Sequence, residues 1–131
     1  MVEERHSLVH ARLTEYGLGP TARFLHPGTD QAIARWQAPE ILKEECLESK
    51  EADVFAFGIV AVEVLTGNDP FPGMKDTAAA MSIMDCGGKQ ALPENCPDQL
   101  GSLLNECWME SPDERAKMEQ IVQTLKVLVK D

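Results

Sequence analysis

Apolar positions concentrate in one stretch, SKEADVFAFGIVAVEVLTG, from Ser49 to Gly67. No residue between Val54 and Val62 is charged, and only Glu63 interrupts the pattern up to Leu65. An element apolar on all sides belongs inside a core. The β-branched Val54, Ile59, Val60, Val62 and Val64 would suit a buried strand. Length points the other way, because buried strands usually run about 4–8 residues and helices at least about 10–12. The flanks agree with a helix. Ser49 can cap its start, Glu51 and Asp53 sit where the helix dipole favours anions, and Gly67 sits where a terminating glycine belongs. The pattern predicts a buried central helix.

The rest of the chain is arranged on either side of it. Val2 to Gly17 alternates weakly and suggests two short strands around His6–Ser7, followed by a turn at Gly17–Leu18–Gly19–Pro20. From Pro20 to Arg35 there is little periodicity, and Pro27, Gly28, Thr29 and Asp30 read as loop. Pro39 holds Ala38 extended and suits the first turn of a helix over Glu40 to Leu42 or slightly beyond. Lys43 to Glu48 is a charged linker, and Asn68 to Gly73 is a compact turn. A short helix is expected over Thr77 to Met84, with Ala80, Met81 and Met84 on one side, then an irregular stretch from Cys86 to Pro97. Asp98 to Met109 has Leu100, Leu103, Leu104 and Cys107–Trp108 at helical spacing. Ser111–Pro112–Asp113–Glu114 has the features of a helix start, and the last stripe is Met118, Ile121, Val122, Leu125 and Leu128. Helix outweighs strand heavily.

Length and composition narrow the function classes. At 131 residues the chain is one domain at most. A formal net charge of -10 argues against nucleic acid or an anionic membrane as the main partner. No run approaches the roughly 18 apolar residues of a membrane helix, and the first thirty residues lack a signal-peptide core. Cys46, Cys86, Cys96 and Cys107 show no CxxC spacing, and His6, His10 and His26 lie far from them. Reduced thiols in a cytoplasmic protein fit this better than zinc or a disulfide framework.

Four stretches, in order, resemble the C-terminal lobe of a eukaryotic protein kinase. ARLTEYGLG is similar to the strand and DFG motif, KLTDFGLS. RWQAPEIL looks like the APE motif that closes the activation segment. EADVFAFGIVAVEVLTGNDPF resembles the kinase F helix, usually seen as SDVWSFGVVLLEILTG-x-x-PF. CWMESPDERAKMEQIV resembles the approach to the last kinase helix, CW-x-x-x-P-x-x-RP-x-x-x-x-I. Trp36 before the APE motif and the Cys107–Trp108 pair point to the tyrosine-kinase-like branch, and the wording is similar to filamentous-fungal kinases. The resemblance implies one partial kinase domain over 1–131, mainly α, lacking its N-terminal side: a short β pair, then helices F to I around the buried central one. It also implies structural roles for Ala38, Pro39, Glu40, Asp53, Gly58, Trp108 and Arg115. Glu40 would pair with Arg115. Asp53 would face the interior, towards the catalytic loop. Ala116 stands where the family has proline, which would loosen the start of the last helix. Thr21 and Thr29 lie where activation-segment phosphorylation would fall, with unmodified loop threonine as the plainer alternative.

The family's chemistry uses Mg and ATP. Phosphoryl transfer is mostly positioning and charge stabilisation by a glycine-rich loop, a strand lysine paired to a helix glutamate, a catalytic-loop aspartate and asparagine, and the DFG aspartate on magnesium. The sequence has no GxGxxG, no VAIK-like lysine and no HRD. The DFG position reads Glu15–Tyr16–Gly17, so Glu15 is the one candidate metal ligand, against the alternative of a surface glutamate in a turn. Its extra methylene moves the carboxylate by about a bond length, and Mg²⁺ demands near-ideal geometry. Met1–Val2–Glu3–Glu4 resembles the end of the strand after the catalytic-loop asparagine, so the chain is expected to begin at an internal methionine of a longer kinase. No catalytic or nucleotide-binding residue is assigned, and no cofactor is expected for the chain alone. Two readings stay open: part of a phosphotransferase, or a catalytically dead, kinase-derived interaction module. In either, an apolar stripe of the central helix should be left for a protein partner or a second copy, along Phe55, Ile59 and Val62 or along Phe57, Val60 and Val64.

Overall fold

The computed structural model describes residues 11–13, 33–46 and 48–130. Among these residues five α-helices follow one another: α1 (Pro39–Leu42), α2 (Lys50–Thr66), α3 (Asp76–Cys86), α4 (Asp98–Cys107) and α5 (Met118–Lys130), with 3-10 turns at Ala34–Trp36 and Pro112–Glu114. No strand occurs among the described residues. Of the stretch expected to form strands, only 11–13 are described, and they are irregular and exposed.

The expected central helix is α2, and its ends form by local chemistry. The Ser49 hydroxyl accepts a hydrogen bond from the Ala52 N–H at 3.0 Å, which satisfies one of the unpaired donors of the first turn. At the other end Gly67 adopts φ 69° and donates its N–H to the Glu63 carbonyl at 2.8 Å. That left-handed conformation is open to glycine without strain.

Two apolar clusters meet across α2. Phe55, Ile59 and Val62 pack with Ala38, Ile41, Phe71, Ala79, Ile83, Leu104 and Trp108. Val54 packs on the other flank with Leu103, Cys107, Ala116 and Ile121. Gly58 lets α4 approach closely. A Cβ there would stand 2.8 Å from the Cys107 Cβ and 3.3 Å from Trp108 Cε3.

Several expectations need correction. The last helix starts at Met118, not at Ser111. Pro112 begins only a 3-10 turn, after which Arg115 is extended at φ -70°, ψ 151°. Ala116 therefore lies ahead of the helix, buried, with its N–H on the Glu106 carbonyl at 3.3 Å. In α3 the inward residues are Ala79 and Ile83, whereas Met81 is 59% exposed. The central helix is buried on one side only: Phe55 and Ile59 are fully covered, but Val60 is 45% and Val64 78% exposed.

Candidate functional site

The centre of the candidate site is the junction of α1, the start of α2 and the chain between α4 and α5. Ala38 is extended at φ -66°, ψ 155°, as a residue before proline must be, and Pro39 occupies the first turn of α1. This places Glu40, 7% exposed, against Arg115, 3% exposed.

All five N–H groups of the Arg115 guanidinium are used. Nη1 donates to Glu40 Oε1 at 2.7 Å and to the Glu51 carbonyl at 2.9 Å. Nη2 donates to Glu40 Oε2 at 2.9 Å and to the Glu110 carbonyl at 3.4 Å. Nε donates to the Met109 carbonyl at 2.9 Å. The planar fork matches the carboxylate with two parallel bonds, which a lysine could not do. The Phe55 ring lies beneath the guanidinium, 5.2 Å from its carbon to the ring centroid. The extended backbone at Arg115, which ended the expected helix start, carries the side chain into this position.

Burial alone would raise the Glu40 carboxyl. The hydrogen bonds from Arg115, the bond from its own backbone N–H and the charges of Arg115 and Lys43 outweigh burial, so its pKa lies below the ordinary 4.5. The pair is ionised at neutral pH and ties three elements together.

The remaining expected site residues divide into three groups. Gly58 and Trp108 meet at the α2–α4 contact, as described. Trp108 is buried, and its Nε1 finds no acceptor among the described residues. Asp53 was expected to face the interior; it is exposed instead. It lies on the opposite side of α2 from Phe55 and Ile59, and no described residue donates to its carboxylate. Glu15, Thr21 and Thr29 lie outside the described residues.

Two neighbouring residues carry contacts that sequence reasoning passed over. Trp36 donates its indole N–H to Glu63 Oε2 at 3.1 Å. This accounts for the one charge in the apolar run of α2. A lone carboxylate in such a run signals a donor elsewhere in the chain. Arg35 turns the other way, with Nε 2.8 Å from Asp76 Oδ1.

A helical lobe held on one central helix, with an internal Glu–Arg pair closing the segment before α1, is the arrangement implied by the kinase resemblance. The family described as protein tyrosine and serine/threonine kinase matches residues 7–125. The chain belongs to this family and corresponds to the C-terminal part of its catalytic domain. It is 32% identical to human mitogen-activated protein kinase kinase kinase 11 over 89% of this chain and 14% of that protein. It is 37% identical to the serine/threonine/tyrosine-protein kinase HT1 of Arabidopsis thaliana over 70% of this chain and 23% of that protein. A light-sensor protein kinase of Ceratodon purpureus is 31% identical over 92% of this chain and 11% of its own length. The chain thus spans less than a quarter of each of these relatives.

Proposed function

We propose that this chain supplies the helical scaffold of a protein kinase domain, and that by itself it neither holds Mg·ATP usefully nor transfers phosphate. The observation that carries the reading is the Glu40–Arg115 pair, with every guanidinium N–H used, inside a chain of kinase family. The whole domain would transfer the γ-phosphoryl of ATP to a protein hydroxyl. Its nucleotide-binding parts are motifs this sequence does not contain: the glycine-rich loop, the strand lysine and the catalytic-loop aspartate. Of the family's magnesium ligands, Glu15 alone has a counterpart here. One carboxylate does not hold Mg²⁺ against water, because the ion keeps several waters and normally takes carboxylates together with substrate phosphates. Ala38, Pro39, Glu40, Gly58, Trp108 and Arg115 then act by holding the lobe together, with Thr21 and Thr29 in the activation segment. A cytoplasmic location fits the reduced cysteines, and among the described residues no helix is long and apolar enough to cross a membrane.

Calorimetry with Mg·ATP and a radiolabel transfer assay test this on the purified chain. The expected result is no binding in the micromolar range and no transfer. Micromolar binding abolished by Glu15→Ala would overturn the reading.

A second reading is favoured by one observation, the apolar stripe on α2 in which Val60 and Val64 are exposed beside a half-buried Phe57. Contiguous apolar surface on an isolated domain is a site of association. The chain would then act as a kinase-derived interaction module, binding a protein or a second copy through this stripe. Sedimentation of the chain against a Val60→Glu, Val64→Lys variant distinguishes the two. Concentration-dependent association lost in the variant supports the module, and a monomer that ignores hydrophobic dye counts against it.

A further inference from the structure

The Arg35 side chain is spent on one turn. Nη1 donates to the Pro70 carbonyl at 2.6 Å and to the Phe71 carbonyl at 3.0 Å. Nη2 donates to the Met74 carbonyl, and Nε to Asp76 at 2.8 Å. Phe71 itself has φ 53°, a conformation that bulky L-residues rarely adopt. Two further contacts hold it there. Its ring is 6% exposed within the core. Its N–H donates to Gln90 Oε1 at 3.1 Å, and Gln90 Nε2 is fixed in turn by the Gly88 carbonyl at 3.3 Å. A backbone held in a sparsely populated conformation persists only where its surroundings determine it, and such points cluster at clamps and switches.

We propose that Arg35 is a positioning residue that latches the Pro70–Met74 turn to the chain entering α1, so that the two segments open and close together. Arg35 and Trp36 straddle the C-terminal end of α2: one reaches the turn that follows the helix, the other reaches Glu63 within it. The latch walls a cleft of about 510 Å³ that Trp36, Asn68, Asp69 and Met74 also line, so its state sets the shape of that cleft. The three carbonyls are the principal partners. Asp76 is 44% exposed on its side chain, and solvent screens its charge. The latch is a property of the fold and holds whether or not the chain transfers phosphate.

Amide hydrogen exchange on the full chain tests this, because it reports local opening residue by residue. The reporters are the N–H groups of Gln37, Phe71 and Met74, bonded to Ala34 O, Gln90 Oε1 and Phe71 O respectively. In Arg35→Ala all three should exchange about tenfold faster and in step, as expected for loss of several charge-assisted bonds. The Gly101 and Ala116 amides, far from the turn in sequence, should keep their protection. Arg35→Lys keeps the charge but not the fork, and should fall between the two. Asp76→Asn should change the three amides far less than Arg35→Ala. Loosening at Gln37 alone would show that Arg35 only packs its own turn and would overturn the proposal. Loss of protection at Gly101 and Ala116 as well, the signature of global unfolding, would also overturn it.

Discussion

Arg115→Ala is the sharpest test of the Glu40 site. The substitution leaves a carboxylate that is 7% exposed without its cation and removes donors from the carbonyls of Glu51, Met109 and Glu110. Breaking a buried pair from one side costs about 3–5 kcal/mol. The lower end applies here, because a cleft of about 420 Å³ borders Glu40 and admits water, and the bond to Glu110 is long at 3.4 Å. We expect about 3 kcal/mol, a large part of the roughly 5–15 kcal/mol that holds a domain folded. Lys126 is exposed, and Lys126→Ala should stay within about 0.5 kcal/mol. Urea unfolding at pH 7 measures both. The variant should also reverse a sign. In the parent chain the Glu40 pKa is lowered, so its contribution is present above about pH 4.5 and is lost as pH falls through the folded value. Without Arg115, desolvation remains and the carboxyl is raised, so acidification towards pH 5 should help the variant. A cost below about 1 kcal/mol at pH 7, or parallel pH curves for the two proteins, would refute the reasoning.

Other perturbations probe other contacts. Glu40→Gln should flatten the acid limb of the parent stability curve below about pH 4.5, read from urea midpoints between pH 3 and 7, since the lowered carboxyl is its source. Gly58→Ala places a methyl 2.8 Å from a Cβ that cannot swing away. Overpacking of about 1–3 kcal/mol should exceed the helix-propensity gain of about 1 kcal/mol, so thermal unfolding should come earlier. Cys107 is buried, and burial together with the charge of Glu106 pushes its thiol up to about 12. At pH 8 it should resist alkylation that consumes the exposed Cys86, followed by mass spectrometry, and react only on unfolding.

The parts of the fold that were legible in the sequence are those set by near neighbours. Ser49 and Gly67 mark the ends of α2 because capping uses atoms within a few residues. The ends of α3 and α4 fall within two residues of their expected positions for the same reason. The start of α5 was misread because Ser111, Pro112 and two acids satisfy every local signal for a helix start. A distant contact overrides them: Arg115 must be extended to reach a carboxylate 75 residues away. That pair was legible only through family resemblance, since neither spacing nor periodicity links Glu40 to Arg115. Arg35 and Glu63 had no such help. Their partners, Asp76 and Trp36, lie in other elements, and a charge in a loop or a lone acid in a helix does not name its partner.

Which side of α2 packs was within reach of the sequence, although both stripes are apolar. At 3.6 residues per turn, Phe55, Ile59 and Val62 share one face, and Phe57, Val60 and Val64 lie nearly opposite. A helix apolar on both faces cannot be oriented by hydrophobicity. Gly58 breaks the tie, since it lies about 40° from Val62 and about 60° from Phe55, at the edge of the first stripe, and at least about 100° from every residue of the second. A mid-helix glycine costs about 1 kcal/mol against alanine and is retained where a neighbour comes close. Here that neighbour is the Cys107–Trp108 end of α4, at 2.8 Å from the Cβ that glycine lacks. The glycine-bearing stripe is therefore the packed one. Asp53, on the helical register of Phe57, Val60 and Val64, falls on the exposed side by the same geometry.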